Sequence, residues 1–262
     1  MSRPIVRKIN QFRVSLISES DLISQQKILF REIGIDWISA HEVVTGLVGK
    51  HIDFKSHRSQ HYELFVGIAQ LSSPKKILEI GTADGSFTAF LARAFPDALI
   101  ETIDLPVKDK RFWNATDNQS GNERALLYDA TTEPPELRTR SENLGSSSNI
   151  VFRERNSVEL CRVEGNKYDL IWVDGDHTFP VVACDITNAV RLLGSGGVIM
   201  CDDIYLAPGR KGRWGSQETL KVLDVFREAK IISTHFVLKS VRSEKNYSPR
   251  LKKHLAVVKL VS

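Results

Sequence analysis

Residues 169–203 read DLIWVDGDHTFPVVACDITNAVRLLGSGGVIMCDD, and no other stretch constrains the fold as tightly. An apolar run stops at Asp174-Gly175-Asp176-His177. A span of helical length follows, then a Gly-Gly break, and a second apolar run stops at Asp202-Asp203. Strand, helix and strand in that order predict neighbouring parallel strands, whose carboxyl ends share one edge of an open α/β sheet, where ligands bind. Four carboxylates and an imidazole are thereby expected along that edge.

The same alternation starts at Lys76 and recurs to the end. KILEI, ALIETIDL, NIVFRE, YDLIWVD and SGGVIMCDD read as strands, and FTAFLARAF reads as an amphipathic helix. Strands separated by helices of roughly 10–15 residues predict a doubly wound, mostly parallel, Rossmann-like α/β sheet. The last two runs, IISTHFVLKSV and HLAVVKLV, have only a turn between them, so an antiparallel hairpin with a reversed C-terminal strand is expected at or near one edge. The first 75 residues look helical and irregular. SESDLISQQKILFREIGI opens on a Ser/Asp cap, and SQHYELFVGIAQL carries Leu64, Phe65, Ile68 and Leu71 at helical spacing. We therefore expect a helical cap segment over 1–75 and a ligand-binding domain over 76–262. Two segments break the pattern, Pro106 to Pro135 and Tyr205 to Ser216. Long connections at strand ends suit active-site lids, with plain surface loops as the competing reading.

The length of 262 residues suffices for one large domain with a well-buried core. No apolar run approaches the roughly 20 residues that span a bilayer, and the opening MSRPIVRKINQFRVSLISESD lacks a signal-peptide core, so a cytoplasmic protein with no membrane partner is expected. Cys161, Cys184 and Cys201 have no C-x-x-C spacing, which points to buried thiols, not a disulfide framework or zinc site. The net charge of +4 is mild, yet between Arg210 and Lys253 twelve Lys/Arg face four Asp/Glu. A solvated basic face is the default, and attraction of an anionic small-molecule substrate is the functional reading. Nucleic acid is not expected, since no aromatic-and-basic signature accompanies the charge. The helical N-terminal segment offers a surface for a homodimer.

Glu79-Ile80-Gly81-Thr82-Ala83-Asp84-Gly85 follows the first strand and opens a helix. Gly81 and Gly85 allow a tight turn and close approach of a ligand to the helix N-terminus. Asp104 ends the next strand, where a carboxylate can accept both hydroxyls of a ribose. NAD and S-adenosylmethionine (SAM) both suit this arrangement. The G-x-x-x-G spacing, without G-x-G-x-x-G, favours SAM, as does the lack of a second catalytic domain in the sequence.

ILEIGTADGSFTAFLARAFPDALIETIDL resembles the first motif and second strand of class I SAM-dependent methyltransferases, and the order of elements from about Ser59 onward is similar to theirs. The resemblance implies that Glu79, Gly81 and Gly85 surround the methionine part of SAM, and that Thr82, Ala83, Ser86 and Asp174 also bind the cofactor. It implies that Asp104 and Leu105 meet the ribose, and that Asn156 and Ser157 meet adenine. For Asn156-Ser157 a helix N-cap is an equal alternative.

The V-D-G-D-H and C-D-D pair resembles metal-dependent O-methyltransferases, above all the macrocin-type enzymes that methylate sugars. That likeness implies Asp174, Asp202 and Asp203 as ligands of Mg²⁺ and Asp176 as general base. The catechol-type branch often has Asn at the third metal position, where this chain has Asp203. Three oxygen ligands with open positions suit Mg²⁺, two hydroxyls of a sugar or other diol could fill them, and the metal would acidify one. His177 could bind substrate, assist the base or make a structural hydrogen bond. Tyr205, Arg210, Arg213 and Trp214 would line a substrate loop. Asp202-Asp203 as a cap-and-turn pair stays open as an alternative. So do a metal-independent methyltransferase acting on a carboxylate or nitrogen, a SAM-binding module that recruits RNA or protein, and, last, a dehydrogenase.

Overall fold

The computed structural model of the chain describes residues 18–48, 59–109, 135–165, 168–207, 217–241 and 252–261. Among them seven strands, β1 (Lys76–Ile80), β2 (Leu99–Asp104), β3 (Ile150–Glu154), β4 (Tyr168–Val173), β5 (Leu193–Tyr205), β6 (Ile232–Leu238) and β7 (Lys253–Leu260), form one sheet in the order β3-β2-β1-β4-β5-β7-β6. Strands β1 to β5 pair in parallel, and β7 runs antiparallel to both β5 and β6. The last strand is reversed, as its short connection implied. It slots between β5 and β6, which leaves β6 outermost. Among the described residues seven helices accompany the sheet: α1 (Glu19–Glu32), α2 (Trp37–Val48), α3 (His61–Leu71), α4 (Ser86–Ala94), α5 (Pro135–Leu144), α6 (Val181–Leu192) and α7 (Glu218–Glu228).

Side chains alternate across a strand, so each central strand deals its residues to two cores. Ile77, Leu170, Trp172, Val198 and Met200 face the core shared with α2, α3 and α4. Leu78, Ile80, Ile171, Val173, Ile199 and Cys201 face the core shared with α6 and α7. Trp172 is buried against Phe65 and Phe87, a core residue and not a stacking platform. Among the cysteines the expectation of buried thiols holds for Cys201 alone. Cys184 is half-buried, and Cys161 is exposed because the single 3-10 turn carrying it (Ser157–Arg162) turns only Leu160 inward.

Helix α1 starts where its cap signal lies: Ser18 Oγ accepts from the Asp21 N–H at 3.1 Å and Asp21 Oδ2 accepts from the Ser18 N–H at 3.1 Å, a reciprocal capping box. Its buried Gln26 donates to the Leu238 carbonyl at 2.8 Å and accepts the Leu238 N–H at 2.9 Å. One side-chain amide thus takes the place of a further strand at that point of outermost β6, satisfying backbone groups that an edge leaves open. Strand order reverses between β1, which neighbours β2 on one side and β4 on the other, so a crevice opens at the carboxyl ends of these strands.

Candidate active site

The glycine turn forms one wall of the crevice. Gly81 has φ +102°, and a Cβ there would lie 2.4 Å from the Asp174 carbonyl oxygen and 3.0 Å from the Gly175 nitrogen. The absence of a side chain is what lets the loop after β1 touch the loop after β4. Hydrogen bonds from Gly81 N–H to the Ile103 carbonyl and from Asp174 N–H to the Ile80 carbonyl, both 2.9 Å, pin the two loops in place. Ala83, at φ +47°, and Gly85, at φ +72°, complete the turn into α4. Ser86 closes it locally, donating from N–H and Oγ to Asp84 Oδ1 at 3.0 and 2.7 Å.

Asp104 lies beside this turn. Its Oδ2 accepts the Ala83 N–H at 2.8 Å and its Oδ1 accepts the Leu105 N–H at 2.7 Å. Each carboxylate oxygen can accept a second hydrogen bond, so a vicinal diol such as a ribose fits the residues present. Asn156 caps the 3-10 turn after β3, its Oδ1 accepting the Val158 N–H at 3.1 Å, and the neighbouring Ser157 carbonyl accepts from Asn188.

Glu79 points under the turn. Its Oε2 accepts from Thr88 Oγ1 at 2.5 Å and Thr102 Oγ1 at 2.6 Å, and Thr82 Oγ1 meets Thr102 Oγ1 at 2.6 Å. Burial dominates over these hydroxyls and pushes the carboxyl up to about 8. The folded state therefore binds this proton more tightly than the unfolded chain. The stabilisation is complete below the unfolded value of 4.5 and is lost as pH rises towards 8. Replacement Glu79→Gln is expected to remove that slope, leaving the variant more stable than wild type at pH 8 by on the order of a few kcal/mol; urea denaturation across that pH range measures it.

At the end of β4, Asp174 is partly exposed and its Oδ1 lies 3.5 Å from His177 Nε2. Burial and the nearby Asp202 charge push the Asp174 carboxyl up to about 7. Burial alone would lower the His177 imidazole, but Asp174, Asp202 and Asp203 together raise it. Asp176 is turned elsewhere: its exposed Oδ1 accepts from the Thr178 N–H at 2.9 Å and Thr178 Oγ1 at 2.6 Å, a local turn.

Successive strand residues normally face opposite sides, so Asp202 and Asp203 should diverge. They do not, because β5 bulges against β7 between Cys201 and Ile204 and Asp203 takes φ +56°. Both carboxylates consequently reach one ammonium, Lys239 Nζ, at 2.6 Å from Asp202 Oδ2 and 2.5 Å from Asp203 Oδ1. Lys253 Nζ takes Asp203 Oδ2 at 2.7 Å, and Asp202 Oδ1 accepts the Asp203 N–H at 2.6 Å. Burial would raise the Asp202 carboxyl, but Lys239 with His61 and His177 overrides it and holds it far below the ordinary carboxylate range. The four oxygens of the acidic pair are thus spoken for.

The expected Mg²⁺ ligand set of Asp174, Asp202 and Asp203 does not fit a divalent ion. Lysines occupy the oxygens that would coordinate it, Asp174 lies beside His177, and no group of three or more His, Cys, Asp and Glu among the described residues is arranged to hold a metal. An ion pair this buried depends on its partners. Asp202→Asn keeps the shape but removes one charge, and Asp203 stays on Lys239. The expected loss in unfolding free energy, read by chemical denaturation, is therefore appreciable but short of the roughly 3–5 kcal/mol for stranding a buried charge.

Residues from α3 also enter the site. Tyr62 is buried, and burial with the charges of Asp84, Glu63, Asp174 and Glu79 drives its hydroxyl well above the ordinary range. His61 packs on the Tyr62 ring at 4.2 Å and edge-on to Phe87 at 4.6 Å. The sequence placed both merely at the start of an amphipathic helix; a His-Tyr pair at the head of an apolar face was the available signal. Tyr205 ends β5 opposite Lys253, whereas Arg210, Arg213 and Trp214 lie outside the described residues, as does most of the Pro106–Pro135 segment.

Residues 78–204 match a family described as "Methyltransferase domain". Among solved structures, the O-methyltransferase TomG from Streptomyces achromogenes, involved in tomaymycin synthesis and in complex with SAM, is similar at 16% identity and a TM-score of 0.51, covering 94% of this chain and 100% of TomG. Cofactor-bound Rv0187 from MTB is similar at 15% identity and a TM-score of 0.51, covering 93% of this chain and 98% of that one. These likenesses are of fold. No curated protein matches the chain.

Proposed function

We propose that this chain is a class I SAM-dependent methyltransferase, a reading that its matched domain and its fold support, and that it methylates an oxygen of a small hydroxylated molecule without a metal. The observation that carries the reading is the Asp174–His177 pair, 3.5 Å apart, which adjoins the glycine turn through the Gly81–Asp174 contact.

The residues of the crevice divide the work. The turn from Gly81 to Ser86 and the Asp104 carboxylate hold SAM, with Asn156 and Ser157 beside its adenine. Bound SAM supplies an electrophilic methyl group: as the acceptor oxygen bonds to that carbon, the carbon–sulfur pair returns to sulfur and S-adenosylhomocysteine leaves. Asp174 and His177 accept the proton that the hydroxyl must lose, the pair acting as general base. Holding acceptor and donor in line is the remaining contribution, since orientation alone accounts for much of the barrier lowering in a bimolecular displacement. Phe87, Tyr62 and Trp172, from α4, α3 and β4, pack together as an apolar wall.

Methyl-labelled SAM, incubated with the protein and a panel of sugars, phenols and other alcohols, tests the proposal directly. Label is expected in an ether-linked methyl group of an acceptor. Transfer confined to amines or carboxylates would replace the oxygen reading, and failure to bind SAM in calorimetry would remove the whole of it.

A further inference from the structure

Lys239 and Lys253 come from the β6–β7 hairpin, far along the chain from the acidic pair, and are stitched together by the Lys239 N–H donating to the Lys253 carbonyl at 2.9 Å. Their ammoniums converge on Asp202 and Asp203, whose side chains are almost fully buried. We propose that the Lys239 ammonium is a built-in cation that stands where a divalent ion would be held. The enzyme on this view is metal-independent, and its acceptor presents one nucleophilic oxygen, not a chelating pair. The proposal rests on the methyltransferase reading for its second half only.

Two carboxylates and two ammoniums are already neutral together. A divalent ion could enter only by displacing at least Lys239, leaving a buried ammonium without a partner and the cluster with excess positive charge, an expensive exchange in a buried setting. A bound Mg²⁺ would leave several coordination positions open to substrate oxygens, which is how such an ion grips two neighbouring hydroxyls. An ammonium carries three hydrogens, and two of those on Lys239 go to Asp202 and Asp203. One donor is left, enough to orient a single oxygen. The bulge at Asp202-Asp203 serves the same end, for it is what turns both carboxylates onto one nitrogen.

Mn²⁺ titration followed by electron paramagnetic resonance reads the site without any need for turnover. Wild-type protein is expected to bind none, and turnover of a mono-hydroxylated acceptor is expected to be unchanged in EDTA. Lys239→Ala frees one oxygen of each carboxylate, Asp202 Oδ2 and Asp203 Oδ1, and is expected to rise from none to one equivalent of Mn²⁺ per chain, lost again in Lys239→Ala combined with Asp203→Asn. One equivalent of Mn²⁺ on the wild type, abolished by Asp203→Asn, overturns the proposal. A folded Lys239→Ala that takes up no ion does so too. Should Lys239→Ala fail to fold, the wild-type titration decides alone. SAM calorimetry on the wild-type protein separates the two ideas: wild type that binds neither SAM nor Mn²⁺ counts against the methyltransferase reading and leaves the cation assignment standing.

Discussion

Gly81→Ala is expected to abolish SAM binding and to destabilise the fold by roughly 2–6 kcal/mol, adding the strain of an unfavourable backbone region to overpacking. The first part comes from φ +102°, which L side chains rarely adopt. The second comes from the neighbours of the new methyl group: the Asp174 carbonyl oxygen at 2.4 Å, its carbon at 2.8 Å and the Gly175 nitrogen at 3.0 Å. All three are backbone atoms, so no rotamer change makes room. Relief requires the loops after β1 and β4 to separate, which breaks the hydrogen bonds from Gly81 to Ile103 and from Asp174 to Ile80 and opens the crevice. Gly85→Ala is the natural comparison. Its φ of +72° also carries strain, but its methyl would meet side chains of Asn143 and Leu144 at 3.3 Å, which can shift. The ordering is therefore specific: Gly85→Ala retains measurable SAM affinity in calorimetry and melts between wild type and Gly81→Ala. A Gly81→Ala protein that binds SAM as wild type does would mean that the two loops are not the cofactor's wall.

Much of this geometry could be read from the chain before any coordinates. Continuous apolar runs such as the LIWV of YDLIWV mark strands buried on both faces, and their spacing by helical segments determines parallel pairing, because both follow from local chemistry and chain reach. Gly81 and Gly85 were legible for the same reason: a turn between strand and helix has few solutions. What escaped is long-range. Nothing local to Cys201-Asp202-Asp203 announces a bulge, so the alternation of strand residues hides that both carboxylates share one partner. Lys239 lies 36 residues beyond Asp203 in sequence, within a basic stretch that looks like a solvated face. An acidic cluster read without its counter-charge resembles a metal site, since an uncompensated cluster would demand a cation; the cation here is supplied by the chain. Asp176 misleads in the opposite way. Its position two residues beyond Asp174 suggested a shared face, but the strand ends at Val173 and Asp176 turns back onto Thr178.

The proton acceptor gives the second large effect. Asp174→Asn preserves size and the backbone bond to Ile80, removes a carboxylate from the base pair, and is expected to lower kcat by about 10²–10⁴, the usual reach of general-base catalysis. SAM affinity should stay close to wild type, because the glycine turn and Asp104 are untouched. The same substitution distinguishes which member of the pair takes the proton. Asp174 is one of the charges that raise the His177 imidazole. Without it, the imidazole loses its proton at lower pH and is free to act as a base there. If His177 is the acceptor that Asp174 orients, the residual activity of Asp174→Asn has its acid limb displaced to lower pH in the kcat/KM profile, and His177→Gln is at least as damaging. If Asp174 itself takes the proton, its loss removes the limb that it set, and His177→Gln is the milder change. A variant Asp174→Asn with wild-type kcat at every pH would take the base out of this crevice altogether.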